Sequence, residues 1–433
     1  MKTDILQQAK GVRDFGPAEK IERDRIIGIL KDIFESFGYN PIETPVLERY
    51  EMFASRFGAG EESDAMRETF KLTDQGGRNL VLRTEFTQPF ARFVGMNLQL
   101  RLPFKRYQIG EIFRDGPIRI GRYREFWQCD IDVVGISFPL IEAEILQLIN
   151  EVFAKLNLKV EIMVNNRKLL NGILDYAGIP AEAQKSIIVS IDKLQKIGAA
   201  GVKAELLDKG IVEKKVDAIL KIISTKCGNA EMIQKMREIL GDNDGIREIE
   251  ETIKYAINKD NVVFCPSLAR GLAYYTGNVF EVYLKDRSKI SSSICAGGRF
   301  DNMISGFLQS KEVYPAVGVS FGLETIFDAI KASKTESEER KSVVSAYIIP
   351  FGEKALAKAF ECGKALRENG IKTDMDFLGR KISKNLEYAN SYGIPQVVII
   401  GDDEINENKF TLKDMKTGAQ EKCSLEELVD KLK

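Results

Sequence analysis

The chain has 433 residues, of which 44% are hydrophobic and 29% are charged, so it is long enough for about two to four globular domains at roughly 150 residues each. Its 63 basic and 64 acidic residues leave a net charge of -1, so overall charge does not indicate a polyanionic partner. It contains no histidine, which excludes Ser-His-Asp and Cys-His triads, a histidine general base and histidine-ligated zinc.

The first part of the chain changes from a helical to a β-like pattern and back. Helices are predicted at 17–37 and 139–155, because apolar residues recur there at helical spacing. Between them, Gly, Pro and Asp turns separate short β-like runs at 79–83, 104–110 and 126–134. This pattern predicts an antiparallel sheet.

Residues 166–260 consist of short, charged, helix-like stretches broken by glycines, and we interpret them as an inserted helical module. The β-like runs resume at 261–264 and 279–284. The charged stretch at 331–341 predicts a domain linker. After it, strands and helices alternate, which is typical of a largely parallel or mixed sheet.

The N-terminal sequence MKTDILQQAKGVRDFGPAEK has no signal-peptide pattern, and the chain has no run of 18 apolar residues. The six cysteines are far apart and include no C-x-x-C pair, which argues against a four-thiolate zinc site. Scattered free thiols fit a reducing compartment. We therefore expect a cytoplasmic protein.

The chain lacks both common glycine-rich phosphate motifs, G-x-x-x-x-G-K-[ST] and G-x-G-x-x-G. What remains is arginine in aromatic- and glycine-rich settings. At 113–135, four arginines surround a Gly-Pro turn that precedes WQCDIDVVG. Guanidinium groups match phosphate oxygens, and neighbouring aromatic rings can stack on a base. Alternation predicts that Gln128, Asp130 and Asp132 share one strand face, where buried carboxylates need a cationic or hydrogen-bonding partner.

Three further segments are less specific alone. In LRTEFTQPFAR, at 82–92, Glu85 and Thr87 are predicted to alternate on a strand end, where they could hold an ammonium group, although the segment taken alone favours a solvated strand end. In ARGLAYYTG, at 269–277, Arg270 precedes two tyrosines that could equally be core residues. CAGGRFD, at 295–301, taken alone favours an ordinary glycine turn.

Together, in this order and spacing, these segments resemble class II aminoacyl-tRNA synthetases, and among them the histidyl-tRNA synthetase family. GYNPIETPVLE, at 38–48, resembles the dimer-interface motif of the class, and FRDGPIRIGRYREFWQ resembles its second motif. ARGLAYYTG and CAGGRFD resemble two histidine-specific signatures, and PAVGVSFGLETI resembles the third class motif. The end of the chain, including GRKISKNLEYANSYGIPQVVIIGDDE, resembles the anticodon-binding domain of this group.

The resemblance implies an α+β catalytic domain, in which helices flank an antiparallel six-stranded sheet, with a helical insertion and a C-terminal α/β anticodon-binding domain. The implied boundaries are 1–165 for the first part of the catalytic domain, with the first two motifs, and 166–260 for the insertion. Residues 261–330 then hold the histidine signatures and the third motif, 331–341 form the linker, and 342–433 form the anticodon-binding domain.

The resemblance also implies a two-step ligase reaction. L-histidine and ATP give histidyl-adenylate and pyrophosphate, and histidine then passes to the 3′-terminal adenosine of tRNA-His. Mg²⁺ is expected to accompany ATP, without confident protein ligands. The first motif implies a homodimer, and we expect no membrane or DNA partner.

The attacking carboxylate is already ionised at neutral pH, so the first step needs positioning and charge neutralisation rather than a general base. By resemblance, Arg114 and Arg270 are expected at the α-phosphate and carboxylate. Arg122 is expected at the outer phosphates, and Phe126 is expected to stack on adenine. These residues are the predicted catalytic and ATP-binding set.

The predicted histidine-binding set also comes from family position. Glu85, Thr87 and Gln128 would hold the ammonium group, and Asp132 and Tyr275 would hold the two imidazole nitrogens. The set is completed by two further residues, Arg270 and Tyr274. Such a site rejects apolar amino acids, which would leave its polar groups unpaired.

For tRNA, the candidate phosphate contact is the basic cluster of Arg380, Lys381 and Lys384 at a predicted helix start. An ordinary solvated basic turn is an equal alternative.

Four positions depart from the family pattern. Thr325 stands where the third motif usually has arginine, and Phe300 replaces a tyrosine. Ala273 replaces an acidic residue. Gly116 stands where the second motif usually has an acidic residue, two positions after its arginine. These changes affect single contacts rather than the overall activity.

Two alternative functions without catalysis remain. One is a synthetase-like regulatory subunit of ATP phosphoribosyltransferase, and the other is a histidine or tRNA sensor. Regulatory paralogues usually lack the anticodon domain, so residues 342–433 argue against the first. Thr325 favours a sensor, whereas Arg114, Arg122 and Arg270 argue against one.

Overall fold

The computed structural model describes residues 4–55, 64–118, 121–270, 274–333 and 341–433. The chain divides into two compact units, one of residues 1–13 and 26–333 and one of residues 14–25 and 334–433. The predicted linker falls mostly at 334–340, outside the described residues.

The described strands, in chain order, are β1 (Asn40–Pro41), β2 (Leu47–Arg49), β3 (Lys71–Thr73), β4 (Asn79–Leu82), β5 (Phe104–Phe113), β6 (Glu125–Val134), β7 (Val160–Asn166), β8 (Val262–Phe264), β9 (Asn278–Leu284), β10 (Cys295–Arg299), β11 (Ala316–Gly322), β12 (Ala346–Pro350), β13 (Thr373–Met375), β14 (Gln396–Ile400), β15 (Phe410–Asp414) and β16 (Gln420–Cys423).

The described helices are α1 (Pro17–Ser36), α2 (Tyr50–Ala54), α3 (Asp64–Arg67), α4 (Thr87–Met96), α5 (Leu140–Lys155), α6 (Arg167–Tyr176), α7 (Ala181–Ile191), α8 (Leu194–Asp208), α9 (Glu213–Ile223), α10 (Asn229–Leu240), α11 (Asp244–Tyr255), α12 (Asn302–Leu308), α13 (Leu323–Ser333), α14 (Glu353–Glu368), α15 (Ile382–Ser391), α16 (Asp402–Glu407) and α17 (Leu425–Leu432).

The first unit is built on a large sheet, whose eight strands within the described residues follow the order β1-β5-β6-β11-β10-β9-β7-β8. The six central strands are antiparallel to their neighbours. The edge strands β1 and β8 pair in parallel with β5 and β7. The predicted antiparallel six-stranded sheet is confirmed, and one short parallel strand extends it on each side.

Helices pack on this sheet through the apolar faces that the spacing predicts. Ile26, Leu30 and Phe34 of α1 are fully buried, and the Phe34 ring lies 5.5 Å from that of Phe321 on β11. Phe153 of α5 contacts the same ring at 5.9 Å. These contacts support β11 from behind.

The predicted helical insertion, 166–260, consists of helices α6 to α11, which lie in the chain between β7 and β8. Buried apolar residues of α6 and α11 belong to the same core cluster as those of the large sheet. A smaller antiparallel sheet of the first unit has the strand order β2-β4-β3.

In the second unit, the described strands form a sheet with the order β13-β12-β14-β15-β16. The first three strands are parallel, as βαβ crossovers require, and the last two add an antiparallel hairpin. The predicted mixed sheet is confirmed. The hairpin strands β15 and β16 were not predicted.

Candidate active site

Three polar side chains lie on one face of β6, as alternation predicts. Gln128, Asp130 and Asp132 all line a cavity above the sheet. The neighbouring strand β11 places Ser320 beside Asp130 and Gly318 beside Asp132. The floor of the site is therefore made by two central, antiparallel strands.

Two adjoining chambers lie on this face. The inner chamber is lined by residues that include Glu85, Thr87, Asp130, Asp132, Tyr274, Tyr275, Phe300 and Gly318. The outer chamber is lined by residues that include Gly121, Arg122, Tyr123, Phe126, Cys295, Glu324 and Thr325. Both chambers share Arg114, Gln128, Arg270, Ala296 and Ser320 as lining residues.

This division follows the two sets predicted from the sequence. The inner chamber contains the whole predicted histidine-binding set, which comes from four different elements and loops. The outer chamber contains the whole predicted ATP-binding set of Arg114, Arg122 and Phe126. The structure thus brings together residues that are up to 190 positions apart in the chain, such as Glu85 and Tyr275.

One prediction about this site is wrong. Glu85 and Thr87 do not alternate along a strand end, because β4 ends at Leu82 and Thr87 begins helix α4. Glu85 lies in the short connection, where its carboxylate accepts hydrogen bonds from the Gln88 N–H at 3.2 Å and the Tyr274 hydroxyl at 3.2 Å. Both residues still line the inner chamber, but the helix start brings them there.

The simpler alternative for CAGGRFD is also wrong. Residues 295–299 form the central strand β10, not a glycine turn. A Cβ on Gly298 would lie 2.9 Å from the Tyr275 ring. Glycine there lets the ring lie directly against the strand and line the inner chamber.

Asp132 has the cationic partner that burial demands. It forms an ion pair with Arg106 of β5, whose side chain is fully buried. Burial raises the pKa of Asp132 to about 8, although Arg106 opposes the shift. Burial also raises the pKa of Asp130 to about 7. The chamber therefore holds carboxyl groups whose ionised form a bound cation would favour.

Glu85 is a further carboxyl group of the inner chamber. Burial raises its pKa, and the nearby Arg114 guanidinium opposes the shift. The amide of Gln128 donates to the Ser320 hydroxyl at 2.6 Å, while its buried Oε1 has no hydrogen-bond partner among the described residues. The inner chamber therefore offers an acceptor atom and several acidic groups to an ammonium-bearing ligand.

Arg114 and Arg270 lie where the two chambers meet. Arg114 Nε donates to the Thr84 carbonyl at 3.0 Å, which fixes the orientation of its head group. Arg270 lies 3.6 Å from the Glu281 carboxylate and 5.9 Å from the centre of the Tyr275 ring. Two held guanidinium groups at a shared wall can contact one ligand in each chamber.

The outer chamber combines an aromatic ring with further cationic charge. The Arg114 guanidinium lies 5.2 Å from the Phe126 ring centre. Arg122 donates to both oxygens of Glu68, at 2.6 and 2.7 Å. Thr325 donates to the Gly322 carbonyl at 2.9 Å and lines the chamber without adding charge.

The sequence reasoning missed Arg106 and Ser320. The available signal for Arg106 was a charged residue near the start of FKRYQIGEIF, on the strand face that is buried. Ser320 carried no chemical signal, because a serine in an apolar strand is common. Ala273, one of the family departures, lies outside the described residues.

The basic cluster lies at a helix start, as predicted, because α15 begins at Ile382 directly after Lys381. Arg380 contacts the buried Asp376 through its backbone N–H at 2.7 Å and its Nε at 3.3 Å. Lys384 pairs with Glu387 at 2.7 Å. Two of the three basic groups are therefore already next to a carboxylate.

Among the described residues, no group of three or more acidic or cysteine side chains could hold a metal ion. In the same part of the chain, no helix has both the length and the apolar character needed to cross a membrane.

Comparison with known proteins gives consistent matches over the chain. The family model described as histidyl-tRNA synthetase matches residues 11–326, and the model described as anticodon binding domain matches residues 345–433. A histidine–tRNA ligase 1 of Bacillus cereus is 42% identical, and the match covers 98% of each chain. A histidine–tRNA ligase of Clostridium tetani is 35% identical over 100% of each chain.

Solved structures show the same similarity. The histidyl-tRNA synthetase from Nostoc sp. PCC 7120 aligns with a TM-score of 0.86 at 28% identity, covering 99% of this chain and 98% of that one.

Proposed function

The chain belongs to the histidyl-tRNA synthetase family and is a ligase that joins histidine to tRNA, and we propose that its two chambers divide the first step of that reaction. The inner chamber binds L-histidine, and the outer chamber binds ATP. The observation that carries this proposal is the shared wall, where Arg114 and Arg270 line both chambers.

The chemistry of the first step fits this wall. A carboxylate oxygen of histidine attacks the α-phosphorus of ATP, a new P–O bond forms, and the bond to pyrophosphate breaks. The nucleophile is already ionised, so no side chain has to remove a proton. Arg114 and Arg270 hold the carboxylate beside the α-phosphate and offset the charge that develops on its oxygens.

The inner chamber suits histidine because the ammonium group and the imidazole ring of this ligand both have polar partners there. The ammonium group binds to Glu85, Thr87 and the free Oε1 of Gln128. Asp132 and Tyr275 receive the imidazole nitrogens, and Tyr274 supports Glu85 through its hydroxyl. An apolar side chain would leave these buried groups unpaired, which disfavours the wrong amino acid.

ATP occupies the outer chamber with its adenine against Phe126 and its outer phosphates near Arg122. Mg²⁺ would accompany ATP and offset part of the charge of its phosphates. Among the described residues, no group of three or more acidic or cysteine side chains could hold the ion.

The second step passes histidine from the adenylate to the 3′-terminal adenosine of tRNA-His, and AMP leaves. Residues 1–165 and 261–330 form the catalytic domain, and residues 166–260 are an insertion between its two parts. Residues 331–341 are the linker to residues 342–433, the domain that binds the anticodon. The protein works as a homodimer in the cytoplasm, where ATP and tRNA are available.

The test is ATP–pyrophosphate exchange with each of the 20 amino acids, measured without tRNA. Exchange with histidine alone supports the proposal. Absence of exchange with every amino acid would instead favour the regulatory-subunit or sensor functions, and binding of histidine would then separate these from an inactive chain.

A pair of arginine variants tests the shared wall itself. Arg270→Ala should lower kcat for exchange by about 10² or more, the scale of losing one donor to developing charge. Arg247→Ala is the matched control, because Arg247 lies on the exposed surface of α11 and pairs with Asp242 and Asp244. Equal activity in both variants would contradict the assignment.

A further inference from the structure

Glu68 connects two segments of the outer chamber. It follows helix α3, and its backbone carbonyl accepts a hydrogen bond from the N–H of Asp115 at 2.6 Å. This bond fixes the Glu68 segment against the chain directly after Arg114. The Glu68 side chain is therefore held close to the arginine-rich part of the site.

The Glu68 carboxylate occupies the space beside Gly116. A Cβ built on Gly116 would lie 2.8 Å from the carboxyl carbon of Glu68 and 2.9 and 3.0 Å from its two oxygens. The backbone of Gly116 is not in the left-handed region, so its conformation would accept any residue. What excludes a side chain at 116 is the carboxylate that comes from position 68.

That carboxylate holds Arg122. Both of its oxygens accept from Nη2 of Arg122, at 2.6 and 2.7 Å. The described contacts of this head group use Nη2, which leaves its other N–H groups available to a ligand in the outer chamber. Arg122 is thus oriented rather than blocked by the pair.

Glu68 also offsets repulsion between two cations. Burial lowers the pKa of Arg114, and the charge of Arg122 lowers it further, whereas Glu85 and Glu68 oppose that shift. Without Glu68, two guanidinium groups of the same site would repel each other in a half-buried setting. A carboxylate here keeps both close enough for one polyphosphate.

We propose that Glu68 is a positioning residue for ATP, which supplies from another segment the carboxylate that position 116 lacks and holds Arg122 toward the outer chamber. The inference rests on the proposed function, in that it takes ATP as the ligand of this chamber. In this chain the carboxylate beside Gly116, two residues after Arg114, comes from position 68.

The experiment transfers the carboxylate from position 68 to position 116. The variants are Glu68→Gln, Glu68→Ala, Gly116→Glu and the double variant Glu68→Ala/Gly116→Glu. The carboxyl carbon of a glutamate is two bonds from its Cβ, so a glutamate at 116 can reach the vacated space. The matched control is Asp74→Asn, which removes a partly exposed carboxylate paired with Arg78 beyond strand β3.

Two quantities are measured for each variant: the affinity for ATP with Mg²⁺ in the absence of histidine, and the KM values for ATP and for histidine in exchange. Glu68→Gln and Glu68→Ala should weaken ATP binding and raise the KM for ATP by about tenfold, the scale of one charge-assisted contact, with the KM for histidine within about twofold. Gly116→Glu alone should also impair ATP binding, because two carboxylates compete for one space. The double variant should recover ATP binding to within about threefold of the wild type.

The proposal is overturned if the double variant binds ATP no better than Glu68→Ala, or if the single variants raise both KM values equally. It is also overturned if ATP binding is unchanged. Thermal unfolding identifies a variant that fails to fold, and the nearly isosteric Glu68→Gln then decides. Exchange by the wild type tests the proposed function, whereas ATP binding without histidine tests Glu68 separately, so the two failures are distinguishable.

Discussion

Gly318 shows how closely the inner chamber is packed. A Cβ at this position would lie 1.9 Å from Asp132 Oδ1 and 2.5 Å from the Ile131 carbonyl oxygen. Gly318→Ala should therefore displace Asp132 or part β11 from β6, at a cost of about 1–3 kcal/mol, and should greatly reduce histidine-dependent exchange. Urea unfolding followed by the fluorescence of Trp127 on β6 measures the stability change.

The matched glycine variant is Gly28→Ala in helix α1. Nothing lies within 4 Å of a Cβ at Gly28, so the change should be neutral or stabilise by up to about 1 kcal/mol, as alanine favours a helix. If both alanine variants have the same stability and activity, close packing at Gly318 is not a requirement of the site.

The raised pKa of Asp130 predicts that the free energy of unfolding depends on pH. Burial raises its pKa from 3.8 to about 7, so between these values the folded chain binds a proton that the unfolded chain has released. The free energy of unfolding should therefore fall as pH rises from about 4 to about 7. Asp130→Asn removes this titration and should reduce the loss by at most about 4 kcal/mol, with the slope from Asp132 remaining.

The measurement is urea unfolding at several values between about pH 5 and about pH 8. Asp217→Asn is the control, since Asp217 is exposed and pairs with Lys203 on the surface. Parallel pH profiles for the wild type and Asp130→Asn would show that Asp130 does not bind the extra proton.

At the scale of elements, one buried ion pair joins β10 to α5. Arg299 donates to both oxygens of Glu142, at 2.6 and 2.8 Å, and also to the Ile136 carbonyl at 2.9 Å. Glu142→Ala should destabilise the first unit by up to about 3–5 kcal/mol, because it leaves the buried guanidinium with Asp301, at 3.1 Å, in place of two carboxylates. Far-UV circular dichroism during urea unfolding measures the loss.

An exposed pair provides the comparison. Arg237 and Glu250 pair between α10 and α11, but both side chains are more than two-fifths exposed. Glu250→Ala should cost less than about 1 kcal/mol. A loss as large as that of Glu142→Ala would mean that burial does not determine the difference.

The elements that could be predicted are those with a regular apolar pattern. Polar and apolar residues alternate in β6 over residues 127–133, and α1 and α5 bury one face each, so local periodicity was sufficient. β10 was not predicted from periodicity, because the side chains of CAGGR do not alternate between polar and apolar. Its strand conformation depends on pairing with β9 on one side and β11 on the other. Tertiary pairing overrides local preference there.

The site was predictable where a residue type is chemically unusual. Arginines beside glycine and buried aspartates on β6 have few structural explanations, and the family resemblance gave them roles. Arg106 and Glu68 were not predicted because their roles depend on their contacts. Arg106 pairs with Asp132 between β5 and β6, and Glu68 pairs with Arg122 across a loop. Sequence spacing does not show either contact.

At the scale of the whole molecule, charge is almost balanced. The second unit is also neutral over residues 341–433, which contain 15 basic and 15 acidic residues. Attraction of a polyanion by net charge is therefore small, and binding of tRNA depends on how individual groups are arranged. The ion pairs that a basic side chain already makes therefore determine how much of its charge is available to tRNA phosphates.

The basic cluster at α15 is expected to contribute modestly for this reason. Arg380 already contacts Asp376, and Lys384 already contacts Glu387, so only part of the formal charge is available to phosphates. Replacing Arg380, Lys381 and Lys384 together with Ala should weaken tRNA-His binding by less than about tenfold. It should lower the dependence on salt by about one phosphate contact rather than three.

Binding of tRNA-His is measured at several salt concentrations, together with exchange in the absence of tRNA, which should not change. The control replaces Lys364, Lys413 and Lys416 of the same unit with Ala, which removes the same formal charge away from the start of α15. A salt dependence reduced by three contacts would show that tRNA releases both basic groups from their carboxylates. An unchanged affinity and slope would exclude the cluster as a phosphate contact.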